Sequence, residues 1–406
     1  MRVASEPTSP FGLLVIGSGP AGVHAATAYV EAGGPGEVCL VTDDADEPYQ
    51  RPPLSKDVLA GDAPAEVVPI VESDSLLAKI DLRLGAHIDA LDIGRRQVAT
   101  RDGQKLAYQR LVIATGSEPT ALPGADSELV HSLRSLEDAR DLARSVQDAQ
   151  SAVVVGSGFI GCEAAATLAG RQVRTTLVTP DSAPQVDRIG DWAGARILEW
   201  LVAAGVEMRT DVEVAGVPAP HTVLLSDGSS LEADVILAAV GVTQSRDFIE
   251  RSGLLIDDGR LVVDEELRTS DPHVWAAGDV ARAQHHVVGR PLRVEHWGDA
   301  ITMGRLAGRN AAARGPGGVG ESGHWSDPPG FWSEIGEHTL KYSAWGDGFD
   351  QVRVVEHGQG AFTVWYADAD GEVVGVLTHD CDADYERGGE LLARRAQLHE
   401  ALENGR

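Results

Sequence analysis

The sequence predicts an α/β protein made of two parallel-sheet mononucleotide-fold units followed by a small C-terminal α+β domain, and three observations carry that expectation. The first is a repeat. Residues 11–30 (FGLLVIGSGPAGVHAATAYV) and 151–169 (SAVVVGSGFIGCEAAATLA) share one design: an apolar run suited to a buried parallel strand, then glycines, then an Ala-rich stretch able to continue as helix. The second is that another strand-like run follows each copy, at 37–42 and 174–179, completing strand, helix, strand. The third is a change of composition after Ala312. Residues 314–330 are rich in Gly, Pro and Ser and read as a linker, and beyond them QVRVVEHG and AFTVWYADADGEVVGVLT alternate as strands, with a turn at Asp370-Gly371.

The rest of the chain agrees with that frame. At 406 residues it exceeds the size of one hydrophobic core, so two or three domains are expected. Apolar runs at 110–114, 234–240 and 273–276 read as further strands that stop at ATG, VGV and AGD, where backbone is exposed at a sheet edge. The terminal stretch 385–406 reads as a charged surface helix.

Composition excludes several functions. With 43% hydrophobic and 24% charged residues the chain is ordinary for a globular protein. No segment approaches the roughly 18 consecutive apolar residues of a membrane span. Residues 1–10 carry one Arg and no apolar core, so no secretory signal is expected and a cytoplasmic location is. A net charge of −28 opposes the basic groove that nucleic acid requires. The three cysteines, Cys39, Cys162 and Cys381, include no closely spaced pair, which argues against a redox disulfide or a thiolate cage. His285 and His286 have no third ligand at metal spacing nearby in sequence; they read as loop, and no metal is expected.

Gly17, Gly19 and Gly22 lie between an expected strand and an expected helix, with Asp43 closing the next strand. That order lets backbone approach a pyrophosphate at the helix N-terminus while an acid about 20 residues on accepts from ribose hydroxyls. Gly156, Gly158 and Gly161, with Phe159 and Ile160 among them, repeat the context, so two Rossmann-like sites for two dinucleotides are implied.

PYQRPPLSK at 48–56 lies just past Asp43, and with it stand ATG at 114–116, LRSLEDA at 133–139, VWAAGDVA at 274–281, EHW at 295–297 and FWSEIG at 331–336. In these motifs the chain resembles the FAD-dependent ferredoxin reductases that feed bacterial ring-hydroxylating dioxygenases and haem monooxygenases, a group whose fold also covers rubredoxin reductases and apoptosis-inducing factor. The resemblance implies a glutathione-reductase-like arrangement: a discontinuous FAD-binding domain at 8–118 and 244–322, an NAD(P)H-binding domain at 119–243, and an α+β domain at 323–406.

It also implies roles. Gly17, Gly19, Ala21, Gly22 and Asp43 would hold the AMP half of FAD, with the backbone of Ile88 near the adenine. Arg51, Thr115, Gly116, Arg134, Gly278 and Asp279 would contact the remainder, Glu295 and Trp297 would approach the pyrimidine end of the flavin, and Trp332 would be an aromatic neighbour. Gly156, Gly158, Phe159, Ile160, Gly161, Thr179, Asp181 and Gly241 would bind NAD(P)H. Lys56 would lie by the flavin ring and Glu163 would face it where nicotinamide arrives, making these two the expected catalytic pair. Plainer readings stand beside these: Arg51 and Lys56 as solvated loop cations, Trp297 and Trp332 as core aromatics, Glu163 as an acid favoured by a helix dipole.

The implied activity is electron transfer from NAD(P)H through flavin to a ferredoxin that serves an oxygenase. Without a cysteine pair, an external one-electron carrier fits best. Alternatives are direct reduction of a small molecule or oxygen, and a redox-sensing interaction protein like apoptosis-inducing factor; monomer and homodimer both stay open. The coenzyme position departs from the family pattern. Thr179 stands where NADH-dependent members carry Glu, Asp181 can still reach the ribose, and Arg174 starts the strand too far away, so a weak preference for NADH is expected and Thr179→Glu is expected to sharpen it.

Overall fold

The computed structural model describes residues 9–61, 69–70, 74–122, 124–125, 129–244, 246–315 and 317–403. Residues 1–8, where no secretory signal is expected, and the last three residues of the expected terminal helix lie outside these. The chain divides into two compact units: the described parts of Met1–Gln50, Val67–Ser117 and Thr243–Asp327, and those of Arg51–Glu66, Glu118–Val242 and Pro328–Arg406.

In the first unit the apolar runs pair as a five-stranded parallel sheet in the order Val274–Ala276, Leu111–Ile113, Leu13–Ile16, Val38–Val41, Ile80–Arg83. The three inner strands are buried at every position, as continuous apolar runs in a covered parallel sheet must be. Helix Pro20–Glu31 packs on helix Trp297–Ala313 through small residues: a Cβ on Gly304 would overlap the backbone of Ala21, and one on Gly308 the backbone of Ala25. A three-stranded antiparallel sheet from Ile88 to Ala107 and a four-stranded sheet from Ile256 to Arg293 complete this unit.

The second unit repeats the design with a parallel sheet in the order Glu207–Arg209, Arg174–Val178, Ser151–Val155, Val235–Ala238. The C-terminal strands form a five-stranded antiparallel sheet in the order Gly330–Ile335, His338–Ala344, Val373–His379, Ala361–Ala367, Gln351–Gly358. Gly371, in the expected turn, has φ +83°. One continuous apolar core joins this sheet to the second glycine unit, with Leu340, Phe362, Val364 and Tyr366 beside Ala164, Leu168, Ile197 and Leu201.

Five sequence expectations are modified. The C-terminal part is not compact by itself, because its core is shared with residues 118–242. Residues 51–61, read as part of the first domain, belong to the second unit: Thr167 donates to the carbonyl of Ser55 at 3.2 Å and Arg171 to that of Leu59 at 2.6 Å. Segment 314–330 is a fastened strap rather than a loose linker. Asn310 brackets Gly323 with two hydrogen bonds, and Trp325 is buried with its ring edge-on to His285. His285 accordingly ends a strand and is buried, not in a loop. The terminal segment forms two helices, Asp382–Ala393 and Leu398–Glu403, broken where Arg395 takes φ +54°, and the first buries Leu391 and Leu392.

Candidate dinucleotide sites

Each glycine turn is dictated by crowding. Gly17 has φ +106° and Gly156 φ +101°, and a Cβ on either would overlap the carbonyl of the neighbouring strand, at Ala114 and Ala239 respectively. Gly22 and Gly161 let the following helix pass over the carbonyls of Gly17 and Gly156. Gly19 and Gly158 are the N-cap residues of helices Pro20–Glu31 and Phe159–Gly170, and neither helix receives a side-chain cap. Both helices thus present backbone N–H groups and a positive dipole end suited to a phosphate.

Around the first turn, Ser18 donates to Thr42 at 3.0 Å and holds the strand end that carries Asp43. Asp43 is exposed and lies 3.7 Å from Arg246, a partner that no motif indicated. Thr115 and Gly116 follow strand Leu111–Ile113; the Thr115 hydroxyl is buried without a protein partner and Gly116 has φ +67°. Asp279 is buried and accepts from Ser117 at 2.6 Å, beside Gly278 at φ +76°. Glu295 accepts from Gln244 at 2.9 Å and from Arg260. Trp297 opens a helix whose N-cap, His296, makes no side-chain cap. Ile88 starts the antiparallel sheet opposite Thr100. Uncapped N–H groups and an orphaned buried hydroxyl as donors, with an exposed acid beside the strand end as acceptor, match what an anionic dinucleotide requires. Arg51, Lys56, Arg134 and Trp332 belong to the second unit.

Within that unit the structure brings Lys56 and Glu163 together. Glu163, the fifth residue of helix Phe159–Gly170, is only 4% exposed. Its Oε2 accepts from Lys56 Nζ at 2.8 Å and from Ser55 Oγ at 2.6 Å; its Oε1 accepts from Ser333 Oγ at 2.7 Å and from the Glu334 N–H at 3.2 Å. Lys56 is therefore no solvated loop cation. Strand Gly330–Ile335 alternates, so Ser333 points inward to the carboxylate while Trp332 is exposed. Ser55 and Ser333 were not singled out from sequence, although both lie inside the motifs that carry the resemblance. Arg134 precedes a capping box of Ser135 and Asp138, and Arg51 occupies the N-cap position of the short helix Pro52–Ser55 without a side-chain cap.

At the second turn Phe159 meets Phe331 edge-on at 4.6 Å, Ile160 is exposed, and Gly241 has φ +103° with open space around it. Thr179, expected near the ribose, is fully buried: its hydroxyl lies 2.8 Å from that of Ser157, and it accepts from the Asp181 N–H at 3.2 Å. Asp181 remains half-buried. Two further residues flank this place, Gln185, which donates to the carbonyl of Ser157 at 3.2 Å, and Arg209, whose carbonyl accepts from the Thr179 N–H at 2.9 Å. Cys162 is buried, and burial with Glu163 beside it pushes its thiol far above the ordinary range; burial pushes Cys39 up to about 12. Neither supplies a thiolate near neutral pH.

Residues 11–304 match the family described as Pyridine nucleotide-disulphide oxidoreductase. A putidaredoxin reductase of Pseudomonas putida is 32% identical over 407 residues, covering 96% of this chain and 93% of that protein. A rubredoxin-NAD(+) reductase of Pseudomonas putida is 32% identical over 338 residues, covering 81% and 85%. The crystal structure of a covalent putidaredoxin reductase–putidaredoxin complex superposes with a TM-score of 0.87 at 30% identity, covering 97% of this chain and 95% of that one.

Proposed function

Because this chain belongs to the pyridine nucleotide-disulphide oxidoreductase family, we propose that it is an FAD-dependent reductase taking hydride from NADH and delivering electrons one at a time to a small iron–sulfur ferredoxin of an oxygenase system. The observation that carries this reading is a buried Lys56–Glu163 pair at the start of the nicotinamide helix, in a chain whose three cysteines are all free. A disulfide relay needs two thiols side by side, and these three, free and far apart in sequence, favour another route for the electrons.

FAD would be held through its pyrophosphate by the Gly17–Gly22 turn, through its ribose by Asp43, and through its remaining polar groups by Thr115, Gly116, Gly278, Asp279 and the N-terminus of helix Trp297–Ala313. When bound, it supplies the conversion of a two-electron hydride into single-electron deliveries. NADH docks its pyrophosphate at Gly156–Gly161. Lys56 and Glu163 then set the charge met by the nicotinamide as it turns cationic. Glu163 keeps its position because both oxygens are held, and Lys56 keeps the site from being simply anionic. The FAD-binding, NADH-binding and C-terminal assignments at 8–118 with 244–322, 119–243 and 323–406 stand as part of this proposal, save that 51–61 groups with the second unit.

Ferredoxin reduction and oxygen consumption by the purified flavoprotein, measured side by side with NADH and a panel of ferredoxins, test it. At least one ferredoxin is expected to be reduced far faster than oxygen is consumed. Oxygen uptake outpacing every ferredoxin would overturn the reading in favour of a direct oxidase.

A further inference from the structure

Three residues that lie apart in sequence converge in the first unit with their metal-ligating atoms facing one another: Glu265, His286 and His324. His286 Nδ1 lies 2.8 Å from Glu265 Oε2, His324 Nδ1 lies 3.2 Å from the same oxygen, and the two Nδ1 atoms are 3.3 Å apart. Hydrogen bonding accounts for this triangle poorly. If both imidazoles donate to the shared oxygen, two N–H groups are aimed into the same small space; if one is the acceptor, only one of them bonds the carboxylate. A cation uses three lone pairs directed at one point. Tetrahedral bonds of 2.0–2.1 Å place ligand atoms roughly 3.4 Å apart, so the observed edges need to open by no more than about 0.6 Å.

The backbone holds these three positions together without help from an ion. The Trp325 N–H donates to the Glu265 carbonyl at 2.9 Å, and the Trp325 carbonyl accepts from the His286 N–H at 2.9 Å, so the residue after His324 bridges the two other ligand segments. Trp325 is buried, and its neighbour ring is His285. The rings of His286 and His324 meet edge-on at 4.9 Å and are solvent-exposed, leaving outer coordination positions open to water.

We infer that Glu265, His286 and His324 form a binding site for a divalent transition metal ion of the Zn2+ type, which ties the strap 314–330 to the sheet turns at Glu265 and His286. Two imidazoles and one carboxylate suit Zn2+ and its borderline neighbours rather than Mg2+ or Ca2+, which prefer all-oxygen sites. None of the three residues has a part in the dinucleotide sites.

Calorimetric titration of the chelator-treated holo-flavoprotein with Zn2+ tests the site, alongside His286→Ala, His324→Ala, Glu265→Gln and a control, His399→Ala, at an exposed histidine elsewhere. The parent and the control are expected to bind one Zn2+ per chain in a saturable step and to gain thermal midpoint on binding. Each ligand variant is expected to bind at least about tenfold more weakly and to lose the thermal gain. Flavin content verifies that each variant is folded. Parent-like affinity in folded His286→Ala and His324→Ala, or absence of a saturable step in the parent, overturns the site.

Discussion

Glu163 is an anion taken almost wholly out of water, and four donors on two oxygens offset what that removal costs. Lys56→Met removes the only charged donor and leaves two hydroxyls and an N–H. The variant is expected to lose about 1–3 kcal/mol of stability as well as to slow flavin reduction by NADH. Rapid mixing and thermal melts check the two effects separately: a parent-like reduction rate in a variant with a lowered thermal midpoint would leave the pair a purely structural role. Coenzyme choice is also decided by single residues. With Thr179 turned inward onto Ser157, Asp181 is the acid proposed to accept from a ribose diol and to repel a 2′-phosphate. Asp181→Ala is expected to lower the NADH over NADPH ratio of kcat/KM by about tenfold. Thr179→Glu is expected to destabilise the protein rather than sharpen selectivity, because the carboxylate enters a buried pocket whose hydroxyl partner is already matched. Steady-state kinetics with both coenzymes decide the point, and an unchanged ratio in Asp181→Ala moves the ribose contact elsewhere.

Pairing of elements in the first unit depends on glycine where two helices touch. Gly304 and Gly308, four residues apart on one helix, meet Ala21 and Ala25, four apart on the other, so both present small faces at the same spacing. Gly304→Val drives a side chain into the Ala21 backbone beside the first glycine turn. It is expected to cost about 2–3 kcal/mol and to lower FAD retention, whereas Gly389→Ala, in a helix with open space around it, is expected to stabilise by up to about 1 kcal/mol. Thermal melts and flavin content of the two variants check this, and equal midpoints would mean that the helix contact carries no strain. The same elements mark what the sequence disclosed. Both glycine turns and the strands beside them were legible because a buried parallel strand is a continuous apolar run and a close backbone approach demands glycine. The strap 314–330 was not. Its Gly, Pro and Ser describe a chain without regular hydrogen bonding, and only the fold reveals that Trp325 fills a pocket and that Asn310 fastens Gly323. Glu163 was named from a motif, but Ser333 reaches it from 170 residues away, a pairing that no local pattern encodes.

Across the whole molecule a net charge of −28 acts on any acidic partner by repulsion at long range, so productive docking must rely on a local cationic face. Helix Trp297–Ala313 carries one: Arg305 and Arg309 are exposed, four residues apart, and lie on the same side, while Arg314 just beyond is paired with Glu266. If a ferredoxin approaches there, two electrostatic terms of opposite sign govern the encounter. Salt screens both, weakening the global repulsion and the local attraction together, and the wild-type kcat/KM for ferredoxin is expected to vary little with ionic strength. Arg305→Glu/Arg309→Glu removes the attraction and leaves the repulsion. The double variant is expected to raise the KM for ferredoxin at least about tenfold at low salt, with kcat/KM recovering as salt increases. Flavin reduction by NADH, which involves no protein encounter, is expected to stay at the parent rate. Ferredoxin kinetics of the two proteins over a salt series measure this, and a double variant that keeps the parent KM at low salt places the docking face away from this helix.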